Sequence, residues 1–506
     1  MIPRSLFSRV FLCGALTLAL PMGVVATEYE VDTTPAGDKL WSAPSTWTSD
    51  APDTVPTGAT DKVTFGHGAD DTTTLQINLG SVQFSRLSVT GNTSNSRVIS
   101  GYGALNSTLK VTAIDYTGQG VFRFNNGSNT ARLSVETDTL LVDGSSSTIL
   151  EIGHNNSSAS LSLESFAVNG STTISGTNAR IYFNSIKGRA AGENILKLGA
   201  LNLSGRLVLG GRGNTGGVVV VSSLSSTATT GRLYVYQDST HNGTSGTLEI
   251  QSAPDTRSSY LGVLRDHISE DAAEGVSLTV RKLGSGVQIF GKSDGNPYSG
   301  GTEIQGGVLA VTNGSGSGLG TGKVTVSGNG VLAGSGRLEL KAQTVEIESG
   351  GTLAPSAHLE NDVATLTISG AQTPGGALLT LHEGATLSFR WKETGVHDTI
   401  AFTGWHENGL ALAEEGIIIN AENVAEGRFD LFTFDTIANS ELSLLTDQLR
   451  AQTLGSGFDD WQVTFGYTEG VHAIWLEVQA IPEPGTTAFL LLGLGMAGMA
   501  ALPRRG

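Results

Sequence analysis

TLLVDG, residues Thr139–Gly144, carries alternating apolar side chains into a tight turn, and variants of it recur along the chain. They are RLSVTG (Arg86–Gly91), TAIDYTG (Thr112–Gly118), SFAVNG (Ser165–Gly170) and LNLSG (Leu201–Gly205). Further on come KVTVSG, VEIESG and LTISG, ending at Gly328, Gly350 and Gly370. The closing glycines of the first group are 27, 26, 26 and 35 residues apart, and those of the second 22 and 20. Alternation with period two marks a strand with one buried face. Repetition at 20–27 residues with glycine corners marks a solenoid.

One such turn cannot bury its apolar face alone. Stacked at about 4.8 Å, the turns share a continuous core and hydrogen-bond to one another, and roughly fifteen would make a rod on the order of 70 Å long. Antiparallel sandwiches also carry turn signals, but roughly every 8–12 residues, so the solenoid fits better. The expected fold is all-β: a parallel β-solenoid over residues 27–390 and a small β-rich terminal module over 391–480. That module is rich in aromatics, among them Phe402, Trp405, Phe429, Phe434, Trp461 and Trp475, and is expected to cover the open strand edges at the rod end. Helical spacing predicts two helices, one from Tyr260, Leu261, Leu264 and Ile268, the other over Ser440–Gln452.

Composition narrows the function. The chain has 506 residues, with 30 basic and 47 acidic side chains and a net charge of −17, which argues against a nucleic-acid partner. Glycine is abundant (68 residues) and charged residues make up only 15%. The N-terminus reads as a secretory signal: Arg4 and Arg9, an apolar core Val10–Leu20, and Val24-Val25-Ala26 as a cleavage site after Ala26. Cys13 is the only cysteine and Leu12 before it is not small, so it is no lipoprotein cysteine; the remaining protein has no thiol chemistry.

Two stretches resemble known families. NPYSGGTEIQGGVLAVTNGSGSGLGTGKVTVSGNGVLAGSGRL (296–338) resembles the autotransporter-associated β-strand repeat, also called the passenger-associated transport repeat. The resemblance implies a right-handed parallel β-helix of a secreted passenger. VEIESGGTLAPS (Val345–Ser356) looks like the next rung. Nothing after residue 390 resembles the translocator barrel that ends true autotransporters. Residues 482–506 resemble instead the PEP-CTERM sorting signal, a tail that also goes under the label ice-binding protein C-terminal domain. The matching parts are Pro482-Glu483-Pro484, an apolar helix within 486–502, and Arg504-Arg505. The resemblance implies recognition by an exosortase-type membrane protease in a Gram-negative envelope, with processing near the triplet. Seventeen helical residues span about 25 Å, slightly less than a ~30 Å hydrocarbon core. The expected single C-terminal transmembrane helix would hold the chain in the inner membrane at least transiently, arginines inside; a permanent anchor needs the same helix.

No catalytic, cofactor or metal site is expected. Asp115, Asp143 and Glu164 are scattered on the repeat, and turns attract Asp for backbone reasons. The nine histidines never occur at i, i+2 or i, i+4; His397-Asp398 and Asp70-Asp71 come nearest to a cluster and read as solvated surface. GSGSGLGTG (Gly314–Gly322) lacks the lysine and helix of a phosphate loop and reads as a turn. A regular Thr ladder for ice is missing. The expectation is therefore a non-catalytic surface or matrix rod, in adhesion, biofilm or coat structure. Its partners would be secretion machinery, an exosortase-type protease and extracellular polysaccharide. The alternative is a polysaccharide-binding or polysaccharide-degrading β-helix.

Overall fold

Alternation decides where each side chain goes. In Asn106–Tyr116, Leu109, Val111, Ile114 and Tyr116 are buried while Lys110 faces solvent, and Arg132–Asp143 repeats the pattern. These strands pair in parallel, rung on rung: Val63, Leu87, Ile114, Leu140, Thr172, Leu201 and Leu224 are successive register partners. The protein is a β-solenoid. A computed structural model describes residues 26–481, apart from short internal stretches of which 154–162, 185–194 and 237–244 are the longest. Three sheets are formed among the described residues, of 25, nine and six strands. The 25-stranded sheet follows the rod and bends within each rung. The nine-stranded sheet adds a face from Gly37–Leu40 to Val263–His267, and the six-stranded sheet adds one from Arg337–Lys341 onward.

Glycine makes the bend. Gly284, Gly307, Gly328, Gly350, Gly384 and Gly416 all have positive φ, and Gly350 and Gly384 donate in turn to the carbonyls of Gly384 and Gly416. At Gly307 (φ +61°) a Cβ would lie 2.5 Å from the Gly284 carbonyl and 2.8 Å from Lys282 Nζ. Only glycine fits there without displacement.

Two consecutive rungs lack a third strand. Residues 291–301 and 312–323 form loops where the nine-stranded sheet has ended and the six-stranded one has not begun. Two asparagines take over the missing hydrogen bonds. Asn296 Oδ1 accepts from Leu264 N (2.9 Å) and its Nδ2 donates to Gly318 O (2.9 Å). Asn313 Oδ1 accepts from Arg337 N (3.1 Å) while its Nδ2 donates to Ser315, Gly316 and Arg337 carbonyls. This is what residues 296–338 build: two abbreviated rungs joined by side-chain amides.

Both ends are covered. At the N-terminal end Trp47–Ser49 returns antiparallel along Glu28–Val31. Trp41 and Trp47 pack edge to face at 4.8 Å, and Trp41 stacks on Phe84. At the other end parallel pairing gives way to the antiparallel strands Gly427–Phe434, Ala473–Ala480 and Trp461–Thr468. The helix Asn439–Arg450 buries Leu442, Leu445 and Leu449, and Arg450 donates to Phe465 O from both Nε and Nη2.

The helix expected over Ser440–Gln452 is present. The one expected around Tyr260–Ile268 is not: Arg257–Tyr260 and Val263–His267 are strands. Their parallel partners on neighbouring rungs, such as Phe290 for Tyr260 and Leu233 for Leu264, satisfy backbone groups that a lone helical turn would expose. Parallel pairing also runs past residue 390, to Thr453-Leu454, so the aromatic stretch begins inside the solenoid. The signal segment 1–25 and the apolar segment 486–502 lie outside the described residues; among those described, no helix is long and apolar enough to cross a membrane.

Candidate functional site

The sorting residues Pro482, Glu483, Pro484, Arg504 and Arg505 lie outside the described residues. Ala26 is the first described residue and directly precedes the opening strand region, so cleavage there would leave the solenoid intact.

The structure does not bring Asp115, Asp143 and Glu164 together. Asp115 faces Arg86 (3.3 Å), Asp143 accepts from Ser175 Oγ (2.7 Å), and Glu164 pairs with Arg132 (2.9 Å). A recurring pattern underlies these contacts. Opposite charges occupy matched positions on adjacent rungs at Glu28–Lys62, Lys110–Glu136, Arg123–Glu151, Arg281–Glu303 and Arg390–Glu422. Directly opposed unlike charges stabilise a sheet, and like charges do the reverse.

His397-Asp398 is not a solvated surface pair. Asp398 is 1% exposed, and its carboxylate accepts from Ser356 Oγ (2.7 Å), Ala364 N (2.7 Å) and Arg390 N (2.9 Å). Burial raises its pKa against the pull of those donors. His397 Nε2 accepts from Asp430 N (2.9 Å), and burial lowers its pKa. Three chain segments converge on Asp398, so the carboxylate acts as a staple. Asp70 and Asp71 lie outside the described residues.

Lys282 is a second buried charge. It is fully buried, and its Nζ donates to Leu283 O (2.8 Å), Gly284 O (3.0 Å) and Gly306 O (3.1 Å) at the glycine bend. Burial lowers its pKa to about 8.

A groove of about 450 Å³ lies beside the abbreviated rungs. Asn296, Pro297, Ser317 and Thr321 form one wall; Arg337, Glu339, Lys341, Ser369 and Thr403 form the other. Arg337 donates to Glu339 Oε1 (3.0 Å) and Thr403 Oγ1 (3.0 Å). The charged groups and hydroxyls in this lining can hydrogen-bond a polar, hydroxyl-rich ligand. The sequence signal was available in two adjacent Gly/Ser-rich stretches that have no room for a third strand. Among the described residues no group of His, Cys, Asp and Glu is placed to hold a metal ion.

Residues 480–505 match the family model described as the PEP-CTERM protein-sorting motif. No curated protein matches the chain. The motif marks the chain as an exported protein of a Gram-negative envelope, handled by exosortase-type processing machinery.

Proposed function

We propose that the chain is a non-catalytic surface or matrix rod that serves in adhesion, biofilm or coat structure. The observation that carries this reading is the division of labour in its charges. In-register carboxylates and cations are spent on one another between rungs, and buried Asp398 and Lys282 bind backbone. The autotransporter-like stretch 296–338 supports the same reading. Its apolar tail holds the chain in the inner membrane until processing near Pro482-Glu483-Pro484. Deleting the gene should weaken attachment or matrix cohesion, and intact mass of the surface-extracted protein should end near the triplet. A mass that includes residues 486–506 would refute processing, and unchanged attachment and matrix would refute the role.

The groove at Arg337 and Glu339 favours a second reading, a polysaccharide-binding or polysaccharide-degrading β-helix. Release of reducing ends from a panel of bacterial polysaccharides, lost in Glu339→Gln, would select degradation over a passive rod.

A further inference from the structure

We infer that the outer face of the nine-stranded sheet binds a linear polyanion, of the acidic-polysaccharide class, through Arg180, Arg206 and Arg232. The three arginines are direct register partners on successive rungs: Arg180 pairs with Arg206, and Arg206 with Arg232. Each precedes a core residue, Ile181, Leu207 and Leu233, so by strand alternation all three side chains stand on the outer face. Their spacing is that of the sheet, about 4.8 Å per step.

This column differs from the other cations that meet in register. Lys62 lies opposite Arg86, but each of them also pairs with an acid, Glu28 and Asp115; here cation lies on cation on cation. None of the three has a carboxylate partner among the described residues. The nearest acid by register is Glu151, opposite Tyr182, and it is held by Arg123 at 2.5 Å. Stacked like charges cost stability in a sheet, so three together in a chain of net charge −17 mark a place kept for an anion from outside.

The neighbouring column holds two of the three guanidinium groups. Tyr182, Val208 and Tyr234 are also register partners and are buried. Arg180 Nη1 donates to Tyr182 Oη (3.3 Å), and Arg206 hydrogen-bonds Tyr234. Arg180 Nε is buried and has no hydrogen-bond partner among the described residues. Ile149 and Val263 close the column at its two ends, so the ladder is three arginines long. Planar forks at fixed intervals, two of them held by a bond to tyrosine, present their remaining donors to carboxylate or sulfate groups along a chain. Three arginines on adjacent rungs make too narrow a basic footprint for nucleic acid.

The inference rests on the proposed surface role only for where the ligand is met; binding itself does not. The test is titration of the full chain with polygalacturonate and dextran sulfate, with neutral dextran and double-stranded DNA alongside. Both acidic polysaccharides should bind, with affinity falling as salt rises. Arg206→Gln should weaken binding about tenfold or more, and each arginine removed should lower the log–log salt slope by about one. Arg206→Lys should keep the slope and lose part of the affinity. Unfolding of the ligand-free protein gives a second readout: added sulfate should raise the midpoint of wild type more than that of the triple Arg→Gln variant. Should the triple variant fail to fold, Arg206→Gln carries both measurements. Absence of binding at low ionic strength, unchanged affinity in Arg206→Gln, or DNA bound as tightly as polygalacturonate would each overturn the inference. Lost binding with intact cell attachment would leave the surface role standing, and the converse would leave the ladder standing.

Discussion

Asn296 Oδ1 accepts a hydrogen bond from the backbone N–H of Leu264 at 2.9 Å, where on earlier rungs a strand would sit. A single amide thus seals the edge of the nine-stranded sheet, and Asn313 seals the six-stranded one at Arg337 in the same way. The loops between them are therefore part of the hydrogen-bonded framework.

Replacing Asn296 with Ala leaves Leu264 N and Gly318 O buried without partners. A loss of about 1–3 kcal/mol is expected. Amide hydrogen exchange should show it first at Leu264, with exchange at Leu87 and Leu109 unchanged.

Gly307 has φ +61° and no space for a Cβ, whereas Gly376 has nothing within 4 Å of one. Gly307→Ala should cost about 2 kcal/mol or more, and Gly376→Ala should be close to neutral. Urea midpoints of the two variants give the comparison; equal midpoints would remove the argument for the bend.

Lys282 supplies a pH dependence whose sign follows from its environment. Its folded pKa of about 8 lies below the unfolded value, so the folded state holds fewer protons between that point and about 10.5. Stability from this group should rise across that window, by up to about 3 kcal/mol, and carry its full cost below it. Subtracting the denaturation midpoints of Lys282→Met from wild type at pH 7.5 and 9.5 isolates the effect. A flat difference would contradict it.

Ion pairs should differ by burial. Glu151 and Arg123 have side chains only 7% and 18% exposed, while Glu136 and Lys110 are 45% and 50% exposed. Glu151→Gln should destabilise by about 3 kcal/mol, since it strands a buried guanidinium, and Glu136→Gln by no more than about 1 kcal/mol. Thermal unfolding of both variants at two salt concentrations checks the order.

Much of the rod could be read from local pattern, because Leu87, Ile114 and Leu140 announce their burial by alternation with near neighbours. The helix at Asn439–Arg450 was legible because its apolar residues face one way with no strand partner competing for them. Around Tyr260 and Leu264 the same spacing misled, since two adjacent rungs supplied partners that no local pattern contains. Asp398 looked like surface because its donors, Ser356, Ala364 and Arg390, are distant in sequence. The arginine column was written in plain intervals, 26 residues from Arg180 to Arg206 and 26 more to Arg232, and needed only the register to show that the side chains stack. The groove depends on strands that fail to form, which a search for strands passes over.

The two lids have a consequence for assembly. The antiparallel return of Trp47–Ser49 over Glu28–Val31, and the helix and antiparallel strands at the far end, occupy the positions a neighbouring molecule would use to prolong the ladder. Prolonging the parallel ladder past Glu28–Val31 into a neighbouring molecule would require displacing Trp47–Ser49. A layer of such rods that leaves this lid shut grows flank against flank, and its thickness is then set by the length of one molecule.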